Sequence, residues 1–208
     1  MDDATTAAAP TGPVDLTAAK RTLRAELLAR RRAQPATAVA TASAAVVATL
    51  RALPELGPGP RRVLLYAADA DEVSLDGLLA APPEGWEVLL PRVEGTALVL
   101  VPHRPGDVLL TGYRGVREPD GLPVPPTSVD VAVVPGVAFT PEGRRLGRGA
   151  GLYDRTLPTL GRAVRIGVCA EPFVRPTLPV ADHDATVDVL VTDASVRRRA
   201  AVAPDAPA

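Results

Sequence analysis

The chain has 208 residues, of which 47% are apolar and only 3% aromatic, and its net charge is −1. That length suits one domain, with Ala, Val and Leu left to build its core. The near-neutral balance excludes a broad basic groove for nucleic acid, and no apolar run approaches the ~20 residues of a membrane-crossing helix, so neither partner is expected.

Residues 1–13 open acidic and hold no long apolar run. They read as a disordered tail, not a secretory signal. Residues 15–33 predict a helix that Asp15 or Thr17 can cap, with Leu16, Leu23 and Leu27 as its apolar stripe. A second, Ala-rich helix is expected over 36–53, stopped by Pro54. A buried strand at 62–66 and a short helix at 73–80 follow. Strands are then expected at 86–91, ended by Pro91, and at 96–103. Residues 104–128 are rich in Pro and Gly and read as surface chain. VDVAVVPG (129–136) is the clearest buried strand. A Gly- and Arg-rich loop leads to a helix at 152–160, strands at 162–169 and 186–192, and a disordered tail over 198–208. Strands alternating with helices predict a single α/β domain over 14–197. Its central sheet should be mostly parallel, with helices on both faces in three α/β/α layers. Cys169 is the sole cysteine, which excludes an internal disulfide and fits a reducing, cytoplasmic location.

The segment RRLGRGAGLYD (144–154) carries the strongest chemical signal. Gly147, Gly149 and Gly151 recur at every second position, so backbone N–H groups can curl round an anion without side chains in the way. A following helix aims its N-terminus at the same place, and Arg144, Arg145 and Arg148 add full charges. Together they read as a phosphate cradle. The loop matches neither a Walker A motif nor GxGxxG. Asp154, just inside the helix, has two open readings: an acid favoured by the helix dipole, or a magnesium ligand beside phosphates.

Of 23 basic residues, 22 are arginine and one is lysine, at Lys20. A site needing a compact ammonium would resist replacement by a guanidinium fork, which makes Lys20 a candidate functional residue. The runs 30–32 and 197–199 read as solvated charges. His103, His183 and Cys169 lack metal-ligand spacing, although His183, between Asp182 and Asp184, could have a modest electrostatic role. Trp86 reads as packing.

PGVAFTPEGRRLGRGAGLYD (135–154) resembles the signature of the 5-formyltetrahydrofolate cyclo-ligases, roughly PGxxFxxxGxRLGxGxGYYD. KRTLR (20–24), DEVSLDGLL (71–79), PR (91–92), GVREP (115–119) and LPVADHDATVDVLVT (178–192) match further family segments in order. The resemblance implies that Lys20 and Arg24 reach ATP phosphates and that Lys20 and Arg148 are the catalytic charges. It implies an ATP loop formed by Arg145, Leu146, Gly147, Arg148, Gly149, Ala150, Gly151, Leu152 and Tyr153. Asp154 and Asp184 match magnesium carboxylates. Glu72 matches a folate-binding glutamate, Ala67 a pocket-floor residue and Tyr113 a substrate contact. Two departures stand out. Leu152 replaces the first of the family's two tyrosines, and Ala150 replaces what is often glycine or lysine. Loss of a tyrosine hydroxyl could weaken folate binding by about 1 kcal/mol.

The implied reaction is ATP- and Mg2+-dependent conversion of 5-formyltetrahydrofolate to 5,10-methenyltetrahydrofolate, with release of ADP and phosphate. A monomer is expected, with a dimer the alternative. Two rival readings remain: a non-catalytic nucleotide-binding or regulatory relative, and a sugar-phosphate isomerase or CoA-transferase on a related scaffold.

Overall fold

A computed structural model describes residues 15–179, 181 and 184–199. The tail expected at 1–13, the C-terminal tail from residue 200 and His183 lie outside the described residues.

Helix α1 (Leu16–Arg32) is capped by Asp15, whose carboxylate accepts the N–H of Thr17 at 3.0 Å and of Ala18 at 3.1 Å. Leu23 and Leu27 turn inward as the stripe requires, while Leu16, at its end, is 42% exposed. Helix α2 (Ala36–Ala52) stops where Leu53 turns extended ahead of Pro54. Among the described residues no single helix is long and apolar enough to cross a membrane.

The strands are β1 (Arg61–Leu64), β2 (Trp86–Glu94), β3 (Ala97–His103), β4 (Leu109–Thr111), β5 (Arg117–Pro119) and β6 (Val131–Pro135). They continue as β7 (Ala138–Phe139), β8 (Arg145–Leu146), β9 (Val164–Val168), β10 (Val189–Val191) and β11 (Val196–Arg198). Helix α3 (Asp76–Ala80) precedes β2, and α4 (Leu152–Thr156), extended by a 3-10 turn at Leu157–Leu160, precedes β9.

Seven strands form one sheet in the order β11-β10-β9-β6-β1-β2-β3. The five inner strands are parallel, and the edges β3 and β11 are antiparallel. Side chains alternate across it. Val131 and Val133 of β6 pack with Val46 and Leu50 of α2 and Leu78 of α3. Ala132 and Val134 face the other way, toward Leu27 of α1 and Leu157 and Leu160 after α4. The expected three layers are present. Counted in chain order, the parallel strands run 2-1-3-4-5, so the direction of winding reverses between β1 and β6.

Four expectations need correction. Pro91 does not end β2, because β1 pairs only with Trp86 through Leu89 and beyond that point β2 has β3 on one side alone. The missing N–H of Pro91 costs no ladder bond there. Residues 104–128 are not merely surface chain, since β4 and β5 form an antiparallel hairpin over the end of β2. Arg31 is not solvated: it is 4% exposed and continues the Leu23–Leu27 stripe by one turn. Nor are residues 197–199 all tail, because Arg197 and Arg198 sit in β11, paired with Glu171 at 2.5 Å and Glu55 at 2.7 Å.

Gly143, in the turn between β7 and β8, has φ +82° and lies against the chain entering β10; an added Cβ would come within 2.2 Å of the Val187 carbonyl oxygen. Gly143→Ala should therefore destabilise the fold by about 2 kcal/mol or more in urea unfolding. Gly77, inside α3, would place a Cβ in ordinary contact with Val47 at 3.5 Å. Gly77→Ala should shift the same curve the other way, by up to ~1 kcal/mol.

The hydrogen bond from Arg197 holds the Glu171 carboxyl below its ordinary value, against partial burial. A depressed carboxylate contributes stability above its unfolded value, near 4.5, and that contribution fades as the pH falls through the folded one. Arg197→Ala should thus cost stability at pH 7, with the difference from wild type closing toward pH 3, as read by thermal unfolding across that range.

Candidate active site

A crevice is expected outside the carboxyl ends of the strands where the winding reverses, and this fold has one there. Tyr66 and Ala67 follow β1, and Pro135 and Gly136 close β6. These four residues line a cavity of about 390 Å³, a size typical of small-molecule sites. Glycine-loop residues Gly147–Asp154 form another wall. Pro91 and Val93 of β2, with Tyr113 and Glu118 of the β4–β5 hairpin, form the far one.

The loop owes its shape to left-handed backbone at Gly149 (φ +99°) and Gly151 (φ +66°), the second of which caps α4. Helix α4 itself is only five residues long, so its dipole adds less than the half charge of a long helix. Fixed cations matter more. Arg24 of α1 donates from Nε to the Gly147 carbonyl at 2.7 Å, and a Cβ on Gly149 would come within 3.3 Å of its guanidinium carbon. One helical turn earlier, Lys20 Nζ meets Asp184 at 2.5 Å, and the same carboxylate oxygen accepts the Ala181 N–H at 2.6 Å.

The two other loop arginines differ. Arg145 is 5% exposed; it donates to Asp154 at 2.6 Å and lies over the Tyr153 ring at 5.6 Å. It ties the two ends of the loop together from below, and Leu146 beside it is core. Arg148 crosses to the loop after β1. It meets Glu72 at 2.9 Å, Asp71 at 2.5 Å and Asp69 at 3.2 Å. Burial opposes its charge, but Glu72 and Asp71 outweigh that and raise its pKa. Burial, then the Glu72 charge, push the Tyr153 phenol well above its ordinary range, against Arg145.

The expected site residues therefore gather on two sides of one loop. Ala67, Glu72, Tyr113, Arg145, Gly147–Tyr153 and Asp154 line the cavity. Arg24 touches the loop from α1, with Lys20 and Asp184 beside it. Sequence reasoning offers Glu118, inside the GVREP match, only as a nucleophile for the rival CoA-transferase reading, and misses its place in this wall. Its carboxylate accepts the N–H of Tyr113 at 3.1 Å and of Val93 at 3.3 Å, and so fixes the wall that carries Tyr113. It also missed Asp69 and Tyr66. Asp69 extends the acidic cluster around Arg148; Tyr66 lines the cavity and donates to the Val73 carbonyl at 2.7 Å.

Among the described residues no three His, Cys, Asp or Glu side chains converge as a metal cage. Magnesium commonly takes one or two carboxylates and completes its shell with water and substrate phosphates. Asp154, a cavity-lining carboxylate beside the glycine loop, suits that sparse ligand set.

The sequence model of the 5-formyltetrahydrofolate cyclo-ligase family matches residues 16–193. The chain belongs to this family. A 5-formyltetrahydrofolate cyclo-ligase of Mycolicibacterium smegmatis is 32% identical over 184 residues, 83% of this chain and 93% of that protein. The solved structure of Aquifex aeolicus 5,10-methenyltetrahydrofolate synthetase superposes with a TM-score of 0.78 at 35% identity, covering 91% of this chain and 95% of that one. The Mycoplasma pneumoniae 5,10-methenyltetrahydrofolate synthetase, at 22% identity and TM-score 0.65 over 84% of this chain and 98% of that one, shares the fold. The protein is thus a ligase of folate metabolism, with cyclo-ligase activity.

Glu72 and Asp71 are mostly buried where they meet Arg148, whose own side chain is 34% exposed. Removing that guanidinium leaves a crowded carboxylate cluster. Arg148→Ala should cost about 1–2 kcal/mol of stability, a buried-pair loss discounted for the exposure. Arg148→Lys should recover only part of it, because one ammonium cannot reproduce the fork. Urea midpoints of the three proteins check both statements.

Proposed function

We propose that this cyclo-ligase uses ATP, with Mg2+, to convert 5-formyltetrahydrofolate into 5,10-methenyltetrahydrofolate, releasing ADP and phosphate. One observation carries the reading. The glycine loop that lines the cavity is the loop Arg24 holds at Gly147, which brings the cations of α1 to the edge of the folate-sized space.

A formamide carbonyl is a poor electrophile and its oxygen a poor leaving group. Attack of that oxygen on the γ-phosphorus, with loss of ADP, corrects both defects. The neighbouring folate nitrogen then adds to the activated carbon and loses its proton, and the C–O bond breaks to release phosphate. No protein nucleophile is needed, so catalysis is positioning and charge stabilisation.

In this reading Lys20, Arg24 and Arg148 neutralise phosphate oxygens, and backbone groups from Leu146 to Tyr153 surround them. Arg145 braces the loop through Asp154. Glu72 accepts N–H groups of the pterin, Ala67 forms the floor beneath it, and Tyr113 closes the outer wall. Asp154, with Asp184 behind Lys20, would hold the metal, which supplies charge neutralisation between phosphate oxygens. Every residue named in this scheme comes from one chain, so the scheme requires no second copy.

The test is direct. Purified protein, ATP, magnesium and 5-formyltetrahydrofolate should develop the methenyl chromophore, and omission of ATP should prevent it. Lys20→Ala should slow its appearance by at least about a hundredfold while leaving the protein folded, with a thermal midpoint lowered by loss of the Asp184 pair. Full activity in that variant would remove Lys20 from the mechanism, and a silent wild type would remove the reaction.

A further inference from the structure

Arg31 plays no part in the scheme above, yet it is a buried cation. It is 4% exposed and comes from α1, the helix that carries Lys20 and Arg24. Its NH2 group donates to the Gly136 carbonyl at 2.5 Å, at the end of β6 where the cavity begins. Its guanidinium carbon lies 4.8 Å from the centre of the Phe173 ring. Its Nε has no hydrogen-bond partner among protein atoms. Ionic groups in such surroundings are costly unless they are compensated.

Two acids share a small, half-open pocket with Arg31. Arg31, Asp71 and Glu72 line the same space of about 10 Å³, near the least volume that holds one water molecule. We propose that Arg31 is a positioning residue for the Glu72 carboxylate, a fixed cation behind it that keeps it turned toward the folate pocket. The inference rests on the folate-site reading of Glu72 given above.

Glu72 faces charge from several elements. Arg148 holds its Oε1 from the glycine loop, and the Asp69 N–H donates to its Oε2. Asp71 stands beside it in the same loop. The phenols of Tyr66, after β1, and Tyr153, on α4, both feel its charge. Two of these neighbours are acids, and the phenols add no positive charge. Only Arg148 and Arg31 supply it among the groups named here. In the proposed mechanism Arg148 also serves phosphate oxygens, a demand that draws it from Glu72. Arg31 is anchored to Gly136 and Phe173 and cannot follow. Burial lowers the Arg31 pKa and Glu72 is the largest influence opposing that, which agrees with a coupled pair.

The experiment separates the charge from the packing. Arg31→Gln keeps a donor for the Gly136 carbonyl and removes the charge; Arg31→Lys keeps the charge and loses the fork. Initial rates of methenyl formation are measured at neutral pH with each substrate varied in turn. For Arg31→Gln the folate KM should rise roughly five- to tenfold, the scale of one lost positioning interaction. Its KM for ATP should change little, and Arg31→Lys should restore the wild-type folate KM. In a Glu72→Gln background, Arg31→Gln should add nothing to the folate KM. Should Arg31→Gln fail to fold, Arg31→Met carries the same comparison.

A wild-type folate KM in the uncharged variant overturns the assignment. So does an equal loss for folate and ATP, which marks a purely structural residue. Those results leave the proposed reaction standing. A wild type that makes no methenyl product fails earlier, and then the reading of Glu72 falls with the reaction.

Discussion

Helix α1 meets the glycine loop through the hydrogen bond from Arg24 to the Gly147 carbonyl, and the site depends on that junction. A guanidinium on a backbone carbonyl is a charge-assisted bond with fixed direction. It also needs a loop with no Cβ in the way, because a side chain at Gly149 would press within 3.3 Å of the same guanidinium. The glycine spacing and the helix cation are therefore one device. The leucine stripe buries α1 on the sheet, the stripe sets which side Arg24 leaves from, and the loop is shaped to receive it.

Charge is balanced locally around this junction. Lys20 is held by Asp184, Arg145 by Asp154, and Arg148 by Asp69, Asp71 and Glu72. Within the proposed mechanism these pairings have a common consequence. A triphosphate competes with carboxylates for Lys20 and Arg148, so part of its binding energy goes to displacing them. Released carboxylates become available to metal or pterin in the same step. Arg145 is the exception: its side chain is 3% exposed, so its pairing is structural bracing.

Much of this was legible in the sequence because the informative features were local. Asp15, the Leu23–Leu27 stripe and the run 131–134 each encode their element within a few residues, and the loop from Arg145 to Asp154 is contiguous. What escaped was set by tertiary partners. Pro91 reads as a strand end until the register shows β2 with a single neighbour there. The strands β4 and β5 are three residues each, too short for periodicity to register. Arg31 lies among three arginines that look alike in sequence, and only the packing of α1 selects the one that is buried. Likewise, no spacing rule says that Arg148 reaches across to Glu72 while Arg145 turns back to Asp154.

The departure at Leu152 falls on one side of this arrangement. Leu152 lines the cavity, whereas the contacts of α1 with the loop are made at Gly147 and Gly149. Tyr153, the tyrosine that remains, is spoken for: its ring lies against Arg145, and burial raises the pKa of its phenol. It cannot stand in for a hydroxyl at position 152 without leaving the Arg145 brace. The substitution therefore alters the polarity of the pocket wall and leaves the side of the loop that Arg24 holds intact. A leucine there retains apolar contact and loses at most one hydrogen bond, about 1 kcal/mol. In the proposed reading that is a change in how tightly a folate is held, too small to change what is done to it.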